Sequence, residues 1–465
     1  MRLQQTAWRS PPVADRIECD VAIIGGGPAG QAAALALAGR SLSLVVIDEQ
    51  PRPGGQILRQ PPARIAVRGW LQERSYRPLK QLLERFQALD GVQWLGGHSV
   101  IGLQSGSIIA MGPDGATTVA ARHILIAAGC HDLAVPLPGW TLPGVSAAGG
   151  IQAFIKGQQL LVGKRVLLAG THPLQLIIAA QIVAAGGSVA AVLFAQPRSA
   201  MIAALARHPA AALRRAPDLL ATAGAVKTLA RAGTPVRYGT SLEALTGTDR
   251  VSGAQTSGGA IDCDAVGLCY GFVPQSALPR MAGAQMAAAG PAGGWACKHD
   301  DFMRTTVPGL FAAGETTGVA GAAAAAAGGA LAGIGIALDL GLISPDAAET
   351  AARQLRRDLA QHRAFAALLD DVADPTAYLP APSADTIICR CEDVDQASIA
   401  VQLAHCQSAN AIKLATRCGM GACQGRNCEP SLLRMIAAAG GPAQAGFTAR
   451  FPARPVAIAD LLPPQ

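Results

Sequence analysis

Short apolar runs that enter glycine turns, each followed by a stretch of helix formers, recur along the chain, and their order predicts a doubly wound α/β protein. Val21-Ala22-Ile23-Ile24 reads as a buried strand entering Gly25-Gly26-Gly27-Pro28-Ala29-Gly30, and Gln31 to Ala38 then reads as a helix. A second strand, Leu44 to Ile47, ends in Asp48-Glu49. The pattern returns at Lys164 to Gly170, with an apolar helix from Leu174 to Ala185 and a strand from Ser188 to Phe194. Thr316 to Leu338 is uncharged and as long as a membrane span, but alanine and glycine dominate it and offer lipid little apolar area, so a buried helix is expected and no transmembrane segment. Beyond it, Pro345 to Leu369 reads as helical, Asp374 to Pro382 as a linker, and amphipathic helices are expected near Gln396–Leu403 and Ser431–Ala438.

Composition narrows the function classes. A chain of 465 residues holds about three domains by the usual length prior. Charged residues make up only 15%, against roughly 25% in average soluble chains, which points to surface covered by partners. The net charge of +7 is spread without a basic block and aromatics are 4%, so no nucleic-acid role is expected. The 11 cysteines are not spaced as a disulfide framework, and Met1 to Pro12 has no apolar run of signal-peptide type, so a cytoplasmic protein is expected.

The first glycine turn carries binding chemistry. Gly25 permits the tight turn, Gly27 lets the backbone approach a pyrophosphate, Gly30 allows close helix packing, and the helix beginning at Pro28-Ala29 offers free N–H groups to the anion. Asp48 or Glu49 can accept bonds from an adenosine ribose. The second turn lacks this equipment: His172 and Gln175 stand where glycines are needed, and the following strand ends in Ala195-Gln196 without an acid, so little or no NAD(P)H use is expected.

Six of the cysteines crowd into residues 389–428. Cys389 and Cys391, with Cys423 and Cys428, form two thiolate pairs suited to one [2Fe-2S] centre, and Gly419, Gly421 and Gly425 let backbone N–H groups approach inorganic sulfide. The same donors also suit structural zinc, more often met as paired Cys-x-x-Cys units, or plain buried thiols. Cys406 and Cys418 are surplus on this spacing. Arg390, Arg417 and Arg426 either offset the charge of the centre or are merely solvated. Cys-x-x-Cys is absent near the first turn and in the central region, which removes dithiol reductase chemistry. Cys130-His131 and the pair Cys297, His299 receive no role, and no residue is identified as a proton-transfer catalyst.

Several segments resemble known families. Pro51-Arg52-Pro53-Gly54-Gly55-Gln56 is similar to the isoalloxazine-side loop of glutathione-reductase-like flavoproteins, and Ile124 to Ala128-Gly129 and Gly309 to Gly314-Glu315 match two more of their strand-to-turn elements. That resemblance implies FAD, with Gly54, Gly55, Gln56, Ala128, Gly129, Gly314 and Glu315 against it. Cys389-Arg390-Cys391-Glu392 and Gly419 to Cys428 resemble the bacterioferritin-associated ferredoxin domain.

The whole order, including Gly139-Trp140-Thr141-Leu142-Pro143-Gly144-Val145, resembles the A subunits of heteromeric opine and D-hydroxyproline dehydrogenases, with the B subunit of hydrogen cyanide synthase and the alpha chain of sarcosine oxidase as similar relatives. The resemblance implies a glutathione-reductase-like flavoprotein in five parts: FAD-binding segments at residues 18–145 and 271–345, a degenerate NAD-like domain at 146–270, a helix and linker at 346–382, and a small helical [2Fe-2S] domain at 383–445. It further implies a D-amino-acid-oxidase-like partner subunit that oxidises an amine, a small ferredoxin-like subunit, a quinone or other acceptor, and a second nucleotide or an interface FMN. This chain would relay electrons. The alternative readings are an NAD(P)H-dependent reductase and a non-catalytic structural subunit.

Overall fold

The structure, a computed structural model, describes residues 15–62, 64–65, 67, 71, 76–104, 106–442 and 446–458. Its first sheet runs in the order Val92–Gly96, Leu44–Asp48, Asp15–Ile24, Gly115–Ile126, Ser107–Gly112, Ser99–Gln104. The first four strands are parallel, as the β-α-β reading requires, and the last two form an antiparallel edge. Val21, Ile23 and Val46 are wholly buried because this sheet is covered on both faces, which is why they read as a continuous apolar run rather than an alternating one.

Two observations place the late segments. Leu310–Ala312 joins the first sheet in parallel, Leu310 opposite Ile124, so the chain returns to its first fold after the central one. The helix Ala322–Asp339 then packs along the first helix, Pro28–Leu37: a Cβ on Gly329 would strike the Ala29 carbonyl and one on Gly333 would strike Ala33 and Ala36. Among the described residues it alone is long and apolar enough to cross a membrane, with a mean hydropathy of 1.5, and 67% of it lies inside the protein. Small residues here allow two helices to approach closely, which explains the alanine and glycine bias.

The central fold is a five-stranded parallel sheet, ordered Val236–Tyr238, Ser188–Phe194, Arg165–Gly170, Ala265–Cys269, Val145–Ala147, with an antiparallel three-stranded sheet beside it. Ser344 caps the long helix Pro345–Ala373 by accepting the Ala347 N–H. The cysteine-rich region follows as the short strand Ile387–Cys389, the helices Gln396–Leu403, Ala409–Thr416 and Glu429–Ala438, and a core around Ile399, Ile412, Leu432 and Phe447. The chain then runs back across the first sheet, where the Ala453 N–H donates to the Ile101 carbonyl at 2.7 Å.

One loop holds the cysteine-rich region against the central fold. Trp140 is 6% exposed, and its indole N–H donates to the Ile387 carbonyl at 2.6 Å. Arg390 lies over the Trp140 ring and donates to the Thr141 carbonyl. Trp140→Ala is expected to lower stability by about 3–5 kcal/mol and to speed proteolytic nicking in the segment 374–382. Thermal unfolding together with limited proteolysis checks both.

Candidate functional site

The two strands Asp15–Ile24 and Leu44–Asp48 bring the first glycine turn and Asp48 together at the mouth of a cavity of about 840 Å³. Gly25 has a φ of +110°, and a Cβ there would strike the Ala127 carbonyl. The Gly54-Gly55 loop lies directly on this turn: the Gly54 N–H donates to the Gly26 carbonyl at 2.9 Å, and a Cβ on Gly55 would come within 2.9 Å of the Gly27 Cα. Of the residues singled out from the sequence, Gly25, Gly27, Pro28, Ala29, Asp48, Glu49, Gly55, Gln56, Ala128, Gly129, Gly314 and Glu315 line this cavity. Gly30 and Gly54 do not line it. They shape the turns instead, Gly30 against the Gly25 carbonyl and Gly54 against the Leu58 carbonyl.

The two acids differ in kind. Asp48 accepts the Gly26 N–H at 2.6 Å and the Gln50 N–H at 2.7 Å, and burial raises its pKa while those two bonds oppose the rise. Glu49 is paired with Arg454 at 2.7 Å. Asp48 is therefore the acid built into the turn, and it retains lone pairs for a further donor. Elsewhere in the cavity, half-buried Glu315 accepts from the Cys130 thiol at 3.0 Å, and desolvation pushes both groups toward their neutral forms.

The turn of the central fold faces the same cavity through His172, which is half-buried, has its pKa lowered to about 4 by desolvation, and is set edge-on to Phe272. The sequence pointed to His172 and Gln175 as the obstruction to a pyrophosphate. Gln175 is wholly buried and does not line the cavity. The sequence did not reveal that the end of the helix Pro345–Ala373 lies against this turn. Thr171 donates its hydroxyl to the Ala373 carbonyl at 2.6 Å, and the Gln196 amide donates to the Thr171 carbonyl at 2.7 Å and the Val372 carbonyl at 2.9 Å. Gln196 stands at the strand end where a ribose-binding acid would be, and it binds the chain's own helix terminus instead. Its carbonyl-rich C-terminus also presents a negative dipole end to any approaching phosphate.

The cysteine-rich region gathers five thiols. The sulfurs of Cys389, Cys418 and Cys428 lie within 4.8 Å of one another, and all three residues are buried. Cys391 and Cys423 lie close enough to each other, and Cys391 to Cys389, to interact electrostatically. The four cysteines chosen from spacing thus fall into one region, and so does Cys418, which spacing set aside. Bonds from the Cys418 and Cys428 thiols and from the Gly419 N–H, the last at 3.4 Å, pull the Cys389 pKa down to about 2. Such a set of soft sulfur donors fits iron or zinc.

The neighbouring glycines serve packing as well: Gly419 and Gly425 lie under the Phe447 ring and Gly421 under Cys391. The three arginines are each engaged: Arg390 at Trp140, Arg417 with Glu392 at 2.7 Å, and Arg426 with the Ala453 carbonyl at 3.5 Å.

The strand Cys130–Asp132 connects the two regions. Cys130 lines the large cavity, while the next side chain along, His131, reaches the Arg426 carbonyl at 3.2 Å between Cys423 and Cys428. A carbonyl only accepts, so His131 carries its proton on Nε2. Arg280 and Glu429 pair at 3.2 Å, and Arg434 donates to the Ala292 carbonyl, fixing the helix after Cys428 to the same body.

Comparison with known proteins agrees with this architecture. Residues 19–330 match the family model described as pyridine nucleotide-disulphide oxidoreductase. The A subunit of opine oxidase from Rhizobium meliloti (strain 1021) is 32% identical over 462 residues, which cover 96% of this chain and 99% of that one. The HcnB subunit of hydrogen cyanide synthase from Pseudomonas aeruginosa is 31% identical, with 93% and 96% covered. Among solved structures, L-proline dehydrogenase from P. horikoshii has the same fold, with a TM-score of 0.68, 20% identity, and coverage of 97% of this chain and 80% of that one.

Proposed function

The chain belongs to the pyridine nucleotide-disulphide oxidoreductase family of flavoproteins, with HcnB and the A subunit of opine oxidase among its relatives, and from that premise we propose that it is the electron-transferring subunit of a heteromeric amine dehydrogenase. A D-amino-acid-oxidase-like partner subunit oxidises the C–H next to an amine nitrogen, and this chain passes the electrons to a quinone or another acceptor, with a small ferredoxin-like subunit completing the complex. FAD takes up electrons in pairs and a [2Fe-2S] centre one at a time, so together they convert a two-electron input into single-electron output.

The residues divide the work accordingly. The N–H groups of the first turn and the following helix bind the pyrophosphate, Asp48 accepts from the adenosine ribose, and Glu315 sits against the ribityl side. Cys389, Cys391, Cys423 and Cys428 hold the iron. The smaller cavity of about 370 Å³, lined by His131, Arg280, Lys413, Arg417, Arg426 and Arg450, is the place this reading assigns to an interface FMN. The observation that carries the proposal is the Cys130–Asp132 strand, which borders the dinucleotide cavity with one side chain and contacts the cysteine loop with the next.

Two measurements test it. The complex purified from its native host should reduce a dye with one or more of opines, hydroxyprolines, sarcosine or glycine, whereas the isolated chain should oxidise none of them. An isolated chain that oxidises an amine unaided overturns the division of labour. Anaerobic NADH or NADPH should bleach the flavin slowly or not at all, because Gln196 and Thr171 hold the helix terminus over the second turn. Rapid bleaching would favour a self-sufficient reductase.

A further inference from the structure

The five thiols divide three and two. A two-iron centre takes two thiolates on each iron. Cys391 and Cys423 meet each other on one side, and on the other Cys389 meets both Cys418 and Cys428, all three sulfurs lying within 4.8 Å. One sulfur on that side exceeds the requirement.

Cys418 is not loosely placed. It is 0% exposed, and its N–H donates to the Thr416 hydroxyl at 3.1 Å, while that hydroxyl donates to the Ile412 carbonyl at 2.7 Å. The next residue, Gly419, donates its N–H to the Cys389 sulfur. Cys428, 1% exposed, opens the helix Glu429–Ala438, points its thiol at the Gly425 carbonyl, and has its sulfur within 4.8 Å of that of Cys418. A buried cysteine ordinarily fills space as a small apolar group. Here its sulfur lies among other sulfurs instead.

We propose that Cys418 is a reserve ligand of the centre, exchanging with Cys428 at the coordination position beside Cys389. This rests on the iron-sulfur reading of the site. In the exchange one iron–sulfur bond to Cys428 breaks and one to Cys418 forms. The proton of the incoming thiol goes to the departing sulfur, which lies within 4.8 Å of it, and no electron changes hands. The device lets the centre survive loss of one thiol to oxidation or to a competing chelator.

The test uses the full chain, prepared without oxygen, with iron and acid-labile sulfide measured per bound FAD and the reduced centre examined by electron paramagnetic resonance. Cys428→Ser is expected to retain most of the iron with shifted g-values. The double variant Cys418→Ser/Cys428→Ser should fall at least about tenfold below the unsubstituted chain. A single variant as poor in iron as the double overturns the proposal.

Should Cys428→Ser fail to fold, Cys418→Ser alone provides the second reading. Its centre should lose iron to EDTA at least about tenfold faster than the unsubstituted chain, and an unchanged rate overturns the proposal. An unsubstituted chain without iron or sulfide sinks the iron-sulfur reading itself, whereas one that holds both while single and double variants behave alike sinks only the exchange.

Discussion

A chain carrying Gly30→Val is expected to purify without its yellow chromophore. Gly30 lies in the first turn of its helix, where an added Cβ meets the carbonyl oxygen of Gly25, and Gly25 cannot retreat because the Ala127 carbonyl occupies the space behind it. A branched side chain must therefore push the turn out of register with Asp48, whose carboxylate is fastened to the Gly26 N–H. The N–H groups meant for the pyrophosphate then point away from it, and FAD affinity should fall at least about a hundredfold, or ~3 kcal/mol. Gly224→Ala serves as control, since an added Cβ meets nothing within 4 Å there. The ratio of flavin to protein after gel filtration decides the matter, with circular dichroism to establish folding. A folded Gly30→Val chain with full flavin would mean that this turn is not the FAD site.

That turn was legible in the sequence because local rules govern it: strand, glycines and helix are contiguous, and an apolar run buried on both faces has one reading. The helices Leu174–Ala184 and Gln396–Leu403 followed from the same local patterning. What was hidden depends on long-range closure. Nothing near Gln196 announces that its amide will meet Val372, and nothing near Glu49 announces Arg454. The approach of Cys418 to Cys389 and Cys428 was hidden for a different reason: spacing counts residues along the chain, whereas which sulfurs meet depends on where a left-handed residue such as Arg417, with φ of +66°, turns the backbone.

The second nucleotide fold shows how such closure can replace a ligand. A parallel sheet with a glycine turn leaves unpaired groups at the C-terminal ends of its strands, and in dinucleotide enzymes the cofactor satisfies them. Here the Thr171 hydroxyl donates to the Ala373 carbonyl, and the Gln196 amide N–H groups donate to the carbonyls of Val372 and Thr171. Retaining the fold while covering its mouth keeps the scaffold that orients Trp140 and the cysteine-rich region. On the proposed function electrons enter from a partner rather than from a nicotinamide, and the anaerobic NADH experiment decides between the two.

Cys423→Ser should separate relay from scaffold most sharply. Cys423 belongs to the side of the centre that holds only two sulfurs, its own and that of Cys391, whereas the spare thiol lies with Cys389 and Cys428. The variant is expected to lose its iron while keeping FAD, because the first turn holds none of the cysteines and Arg426 is the one residue of the cysteine loop that lines the cavity. In the assembled complex, flavin reduction by the amine substrate should proceed at its usual rate. Delivery to a one-electron acceptor should fall at least about a hundredfold, equivalent to ~3 kcal/mol of barrier. Stopped-flow measurement of the two half-reactions distinguishes them. If acceptor reduction stays intact after the iron is gone, the thiols serve assembly rather than electron flow, and the strand from Cys130 to Asp132 is a structural tie between the two regions.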